Sequence, residues 1–232
     1  MATKKFRRFR RRFIALLLLI GLFCFWYKGN DLRYPIKGID ISHHQGAINW
    51  DKVAADGVDF VFMKATEGQD FLDTKFAYNW EEAARVGIPR GAYHFFLPSV
   101  DAEKQAQNFI RTVPLEPGDL PPVLDIEVTN QKSRAEIIRG ATIWLETIEA
   151  HYRIKPLIYA SPSYYNDYLD ASFDTYPLWL AHHYRFSPRL PESRKEWVFW
   201  QSTNFGFVSG IKGNVDMNYF QQRSLEEWKY SP

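Results

Sequence analysis

The sequence predicts a modified, incomplete (β/α)8 barrel of the TIM type, and three features of residues 37–224 lead to that fold class. Eight short runs rich in β-branched and aromatic residues recur along the chain. Their near-continuous apolar character is typical of a parallel sheet that is buried on both faces. Helical patterns separate the earlier runs and thin out in the last third, so the barrel should be incomplete. A doubly wound open sheet is the alternative.

The strand candidates follow one another at intervals that fit such a barrel. They are Lys37–Ser42, Asp59–Thr66, Pro89–Phe96, Pro122–Glu127, Pro156–Ala160, Pro177–His182, Trp197–Ser202 and Asn214–Tyr219. Three helices are predicted between the early strands, over residues 73–86, 101–113 and 133–148. Asp101 is placed to cap the second, and Ser133 with Glu136 forms a capping box for the third. A shorter helix should follow Ser161.

Composition indicates one domain with a large core and excludes nucleic-acid binding. The 232 residues are 46% hydrophobic and 17% aromatic, and the formal net charge is +2. That charge is misleading because residues 4–12 carry seven Lys/Arg and no acid. Without them 22 Lys/Arg face 27 Asp/Glu, a net charge of −5. A mildly acidic body without a basic stripe does not fit a nucleic-acid partner, and we expect a monomer.

The N-terminus has the pattern of an export signal. The basic residues 1–12 precede the apolar run 13–27, and a basic segment before an apolar one keeps its charge in the cytoplasm. No small-residue cleavage site follows the run, so we favour an uncleaved membrane anchor over a cleaved signal peptide. Residues 28–36 then form a linker, and residues 225–232 a C-terminal tail. The single cysteine, Cys24, leaves the body without disulfides or a cysteine nucleophile.

Polar and aromatic side chains recur at the C-terminal ends of the predicted strands. They are Asp40, Lys64, Glu67, Tyr93, His94, Asp125, Glu127, Tyr159, Trp179, His182, Gln201 and Asp216. In a (β/α) barrel these ends meet at one mouth, where the chemistry takes place. The sequence therefore predicts an acidic cleft lined with aromatic rings, in which Tyr93, Tyr159, Trp179 and Trp200 could stack on sugars.

The stretch PPVLDIEV places Asp125 and Glu127 two positions apart in an apolar run. On a strand both side chains point the same way, with Cα atoms roughly 6.5–7 Å apart. That separation suits two carboxyl groups flanking a glycosidic bond, and a buried acid keeps its proton near neutral pH. The same spacing also fits an acid pair that caps loops or coordinates a cation, and the spacing alone leaves both interpretations open.

Seven blocks in order resemble those of glycoside hydrolase family 25, the Chalaropsis-type lysozymes. They are GIDISHHQGAINW (38–50), FVFMKATEG (60–68), RGAYHFF (90–96), PPVLDIE (121–127), PLIYAS (156–161), PLWLAHHY (177–184) and FWQSTNFGFVSGIKGNVDMNYF (199–220). The resemblance covers about residues 37–222. It implies a modified barrel that cleaves the β-1,4 bond between N-acetylmuramic acid and N-acetylglucosamine in peptidoglycan.

The resemblance also implies roles for the acids. Glu127 matches the general acid, and Asp125 matches a residue that orients the substrate's own N-acetyl group for attack on C1. In a second version of the mechanism a carboxylate assists water directly. Asp40 and Asp216 match acids that line the floor of the same cleft. The family pattern LW-x-A-x-Y is altered here, so that either His183 stands in the tyrosine position or one residue is inserted before Tyr184.

Other chemistries are less well supported by the sequence. The histidine pairs at 43–44 and 182–183, with His94, lack the spacing of a metal site, so we expect neither a metal nor another cofactor. Lys64 and Glu67 are interpreted as a supporting ion pair. Hydrolase-elbow and phosphate-loop motifs are absent from the sequence. A catalytically inactive barrel that only binds peptidoglycan is the alternative from another functional class.

Overall fold

The computed structural model describes residues 2–169 and 171–231, except for the side chains at 2–5, 7, 19–20 and 22–29. The strands are β1 Lys37–Ile41, β2 Phe60–Glu67, β3 Phe71–Leu72, β4 Arg90–Phe95, β5 Val123–Asp125, β6 Leu157–Ala160, β7 Leu178–Ala181, β8 Phe199–Gly206 and β9 Val215–Phe220. The α-helices are α1 Ala2–Arg33, α2 Trp50–Ala55, α3 Phe76–Arg85, α4 Ala102–Thr112, α5 Arg134–Tyr152 and α6 Pro162–Tyr168. Single 3₁₀ turns occur at His43–Gln45, Ala171–Phe173 and Glu226–Trp228.

The sheet closes on itself, which confirms the barrel and removes the open-sheet alternative. Strand β1 pairs with β2 on one side and with β9 on the other, so that β1, β2 and β4–β9 form the closed ring. Within the ring, β1, β2 and β4–β8 run parallel to one another, but β9 is antiparallel to both of its neighbours; β3 pairs antiparallel with β2 outside the ring. The reason is the connection: a short hairpin joins β8 to β9, whereas a parallel return would need a long crossover.

The predicted helices form, with shifts at their ends. Asp101 Oδ1 accepts a hydrogen bond from the Lys104 amide at 2.9 Å, and the capping box of Ser133 and Glu136 is present. The first predicted helix starts at Phe76 rather than at Asp73. Beyond β7 no α-helix occurs in the described part of the chain, as the sequence predicted. The short elements α2 and β3 were not predicted.

Aromatic side chains fill the inside of the barrel and form a floor beneath its mouth. Phe62 stacks on Trp179 with ring centroids 4.6 Å apart, and Phe199 meets Phe62 edge-on at 5.1 Å. Gly91 makes room for this arrangement, since a Cβ there would lie 2.3 Å from the Phe62 ring. A larger cluster packs between the outside of the barrel and the helices. The interior is therefore a solid core, and ligands are confined to the mouth.

The N-terminal helix α1 continues through Arg33 and takes in residues 28–33 of the predicted linker. Directly after it, Tyr34 packs against Trp197 and Tyr219, with ring centroids 5.1 and 5.8 Å away. Tyr219 Oη also donates to Asp31 Oδ1 at 3.0 Å. Among the residues described, no helix is both long enough and apolar enough to cross a membrane.

Candidate active site

The strand ends form a cleft of about 190 Å³ at the mouth of the barrel. Its walls are Asp40, Ser42, His44, Lys64, Tyr93, Phe95, Asp125, Glu127, Tyr159, Trp179, Gln201 and Asp216. Most of these residues were predicted; Ser42, His44 and Phe95 were not. A larger cavity of about 350 Å³ lies beside Pro177 and Val198, which precede β7 and β8, so it belongs to the opposite end of the barrel. The smaller cleft is the candidate active site because it lies at the C-terminal ends of the strands, where the chemistry of this fold takes place, and contains Asp125 and Glu127.

Asp125 and Glu127 share the cleft but differ in exposure. Asp125 ends β5 and is only 7% exposed, whereas Glu127 follows the strand and is exposed. Ile126 between them is buried in the outer core, so the alternation predicted from the sequence persists past the end of the strand. The Ile126 amide still donates to the Tyr159 carbonyl at 3.1 Å. The backbone therefore directs both carboxyl groups into the mouth.

The two carboxyl groups hold protons more strongly than ordinary acids. Burial raises the pKa of Asp125 well above its usual value, and the charge of Glu127 raises it further. The Glu127 side chain is exposed as a whole, but it lies in the cleft wall, where desolvation of its carboxyl group and the charge of Asp40 raise its pKa while Lys64 and His183 oppose the shift. Asp125 Oδ1 is buried and has no hydrogen-bond partner in the structure. A buried acceptor without a partner is costly, so this oxygen is available to a ligand donor.

Asp40 and Asp216 face each other across β1 and β9 and share one donor. Gln201 Nε2 donates to Asp40 Oδ2 at 2.9 Å and to Asp216 Oδ2 at 3.0 Å. Burial and the charge of Asp216 raise the pKa of Asp40 to about 8, and burial raises that of Asp216 to about 6. Two adjacent carboxyl groups cannot both ionise at low cost, so the pair retains a proton near neutral pH.

Gln201 connects this acid pair to the aromatic wall. Its Oε1 accepts from Tyr159 Oη at 2.8 Å and lies 2.6 Å from His183 Nε2. Asn218, which the sequence analysis missed, acts in parallel: its Nδ2 donates to Asp40 Oδ2 at 2.8 Å, and its Oδ1 accepts from Trp179 Nε1 at 2.8 Å. The two-residue alternation of β9 from Asp216 could have identified Asn218.

His183, rather than Tyr184, contacts a residue of the cleft wall. The His183 ring contacts Gln201, while Tyr184 is exposed and donates its hydroxyl hydrogen to Asn204. The two interpretations of the altered family pattern, substitution by His183 or insertion before Tyr184, stay predictions. The departure from the pattern could have flagged this residue, but its contact with Gln201 depends on how β7 and β8 pair.

Several predicted site residues lie elsewhere. His94 is a correction: Tyr93 faces the cleft, so the next side chain on β4 points outward, where His94 contacts Thr66, Gln105 and Trp144. Burial lowers the pKa of His94 to about 3, which keeps the ring neutral.

Trp200 is buried and His182 contacts the loop before β8, so neither lines the cleft. Glu67 lies outside the cleft wall and binds Lys64 Nζ at 2.6 Å. Across the described residues, His, Cys, Asp and Glu side chains form no group of three that could hold a metal.

Comparison with known proteins gives consistent matches to one family. The model of the glycosyl hydrolases family 25 matches residues 39–211. Lysozyme M1 of Streptomyces globisporus is 34% identical over 198 residues, covering 80% of this chain and 67% of that protein. The uncharacterized protein YegX of Escherichia coli K12 is 41% identical over 192 residues, covering 81% and 70%. The crystal structure of a bacterial lysozyme from Streptomyces coelicolor superposes with a TM-score of 0.78 at 32% identity, covering 81% and 92%.

Proposed function

The chain belongs to glycosyl hydrolases family 25, and from that premise we propose how its cleft cuts peptidoglycan. The protein is a lysozyme, a glycosidase that hydrolyses the β-1,4 bond between N-acetylmuramic acid and N-acetylglucosamine. We propose Glu127 as the general acid and Asp125 as the group that orients the substrate. The observation that carries this assignment is the difference between the two carboxyl groups: one is exposed at the mouth, and the other is buried with an unpartnered oxygen.

In the proposed reaction Glu127 donates its proton to the oxygen that links the two sugars. As the bond from C1 to that oxygen breaks, the carbonyl oxygen of the neighbouring N-acetyl group attacks C1 and gives an oxazolinium-type intermediate. Water then adds to C1 and returns a proton to Glu127, which restores the enzyme. An acetamido group held beside C1 gains the advantage of intramolecular attack. Direct assistance of water by a carboxylate is the other mechanism compatible with this pair.

The unpartnered oxygen of Asp125 supports this order of reaction steps. The substrate's acetamido N–H can donate to the unpartnered Oδ1, which favours the ionised form of Asp125. Since the two carboxyl groups influence each other's pKa, ionisation of Asp125 raises the proton affinity of Glu127. Substrate binding would therefore favour the protonated form of Glu127, the residue that must donate the proton.

Replacing the proposed acid tests this assignment directly. We expect Glu127→Gln to lower the rate on purified sacculi by about 10²–10⁴-fold, the usual contribution of general acid catalysis. The control is Glu146→Gln on the exposed face of α5, which should leave the rate unchanged. Mass spectrometry of the released muropeptides should show reducing-end muramic acid. A Glu127→Gln variant as active as the control contradicts the assignment.

We also propose that the N-terminal segment exports the enzyme and tethers it to the membrane, so that the barrel faces the cell wall. Support comes from the seven basic residues that precede the apolar run 13–27. After cell fractionation, full-length protein should remain with membranes through a carbonate wash. A shortened protein in the extracytoplasmic soluble fraction would indicate signal cleavage instead, and intact soluble cytoplasmic protein would contradict export.

A further inference from the structure

Strand β8 extends beyond the cleft and carries exposed aromatic rings above it. Gln201 lies in the cleft wall, and the strand continues through Gly206 while paired with β9. We call residues 203–207 the aromatic arm. Phe205 is 60% exposed and Phe207 69% exposed, and their ring centroids are 5.5 Å apart. A contiguous exposed apolar patch of this kind, bordered by polar residues, is typical of a site of interaction.

The aromatic arm is held in place by specific contacts. Thr203 Oγ1 accepts a hydrogen bond from the Phe205 amide at 3.1 Å. Gly206 allows β9 to approach closely, because a Cβ there would lie 2.3 Å from Met217 Cγ. Tyr184, itself 58% exposed, donates its hydroxyl hydrogen to Asn204. The exposed rings are therefore presented on a strand with defined geometry, which lowers the entropy lost when they bind.

The end of the aromatic arm is also anchored to the rest of the barrel. The Ser209 amide donates to Asp56 Oδ2 at 2.8 Å, and Ser209 Oγ bonds Asp56 Oδ1 at 3.1 Å. The Asn49 amide donates to the Gly210 carbonyl at 2.9 Å. These bonds tie the segment after Phe207 to the start and end of α2. The hydrogen bonds hold the aromatic arm in a fixed position relative to the cleft, so it can contact a glycan that the cleft already binds.

We propose that the aromatic arm, with Tyr184, binds sugars of the glycan strand that extend beyond the catalytic cleft; this rests on the proposed function. The cleft of about 190 Å³ is smaller than the roughly 300–1,000 Å³ of pockets that enclose a drug-sized ligand. A polymeric glycan must therefore continue outside it. The arm continues the wall formed by Gln201, so a strand leaving the cleft on that side meets the rings.

Charge favours a glycan over an anionic lipid surface as the occupant. Residues 202–211 contain no charged side chain, whereas the adjacent cleft wall is acidic. Binding to anionic headgroups relies on Lys and Arg near the surface. The apolar faces of pyranose rings instead match aromatic rings, and the Asn204 amide offers a polar partner for hydroxyl groups. The proposed ligand is therefore an amino-sugar polymer, which packs the uncharged faces of its pyranose rings against the aromatic arm.

The test compares long and short substrates with the full-length protein in mild detergent. The substrates are peptide-free glycan strands of peptidoglycan and a tetrasaccharide prepared from them. We expect the double variant Phe205→Ala/Phe207→Ala to lower kcat/KM on long strands about tenfold, equivalent to ~1.4 kcal/mol, with less than about a twofold change on the tetrasaccharide. The control is Tyr78→Ala, an exposed ring on α3 outside the cleft wall, which should change neither rate.

The outcomes separate this proposal from its alternatives. Equal losses on both substrates would mean that the rings act within the cleft or on folding, and would overturn it. Rates on long strands equal to those of the Tyr78→Ala control would also overturn it. So would unchanged rates combined with lost binding to anionic phospholipid vesicles, because the occupant would then be a membrane. If the wild-type protein cut neither substrate, the proposed function itself would fail.

Discussion

On the side of the mouth formed by β8, β9 and β1, the carboxyl groups of Asp40 and Asp216 accept hydrogen bonds from the side-chain amides of Gln201 and Asn218, whose oxygens in turn accept hydrogen bonds from Tyr159 and Trp179. On the β5 side, Asp125 Oδ1 has no partner and Glu127 is exposed. Both sides raise the pKa of their acids by burial. They differ in whether the protein or a ligand completes the hydrogen bonds, and this divides the cleft into a supporting side and a reactive side.

Among the variants that test the difference between the two sides, the largest loss of activity is expected for a substitution of Asp125. Asp125→Asn removes the charge that is proposed to receive the substrate N–H, and we expect kcat to fall by about 10²–10³-fold. Thermal stability should change little, because an amide and a protonated carboxyl group are both neutral and of similar size, and Asp125 Oδ1 has no hydrogen bond to lose. Steady-state kinetics and thermal unfolding measure the two effects. Asp70→Asn, at an exposed position, is the control.

A combined loss of stability and activity would contradict this prediction. If Asp125→Asn lost stability and activity together, Asp125 would belong to the supporting side of the cleft. The difference between the two sides would then be one of exposure alone, and the unpartnered oxygen would carry no functional meaning.

A smaller loss of activity with a clear loss of stability is expected on the supporting side. Gln201→Leu leaves Tyr159, His183 and the acid pair without the amide that joins them. Each buried group deprived of its partner costs about 1–3 kcal/mol, so denaturant unfolding should show a loss of at least that size. We expect kcat to fall about tenfold, since no proposed reacting group is removed. Gln107→Leu on exposed α4 surface should change neither quantity.

The free energy of unfolding, measured as a function of pH, tests whether the pair of Asp40 and Asp216 retains a proton in the folded protein. Asp40 has an unfolded-state pKa near 3.8 and a folded-state pKa of about 8, so the folded protein binds the proton more tightly. The stabilising effect is complete below about pH 4 and is lost as the pH rises towards 8. The free energy of unfolding should therefore decrease across this range, and Asp40→Asn should flatten the slope.

Asp51→Asn provides the matched control for this measurement. Its exposed carboxylate pairs with Arg85, which lowers the pKa of Asp51, so its contribution changes only as the pH falls below the ordinary value. The slope between pH 4 and 8 should be the same as in the wild type. A wild-type slope of zero in that window would contradict proton retention by Asp40.

The sequence predicted those parts of the site that depend on neighbouring positions in the chain, and missed those that depend on how separate strands pair. Alternation along a strand is local, and it correctly brought Asp125 and Glu127 to one face. The same rule could place either Tyr93 or His94 at the mouth, and only the register of β4 with its neighbours decides between them. The reversal of β9 and the contact of His183 with Gln201 depend on pairing between strands, for which the sequence carries no local pattern.

The smallest expected effect concerns the residue that joins the two sides. His183 contacts Gln201 on the supporting side, and its positive form lowers the pKa of Glu127 on the reactive side. His183→Tyr removes that charge while keeping a side-chain donor beside Gln201, so the pKa of Glu127 should rise. Because a general acid must be protonated, activity is lost as the pH rises through its pKa, and the alkaline limb of the kcat/KM profile should move to higher pH. His151→Tyr on α5 should leave the profile in place, and a shift of the alkaline limb to lower pH in His183→Tyr would show that the histidine does not act on Glu127 through its charge.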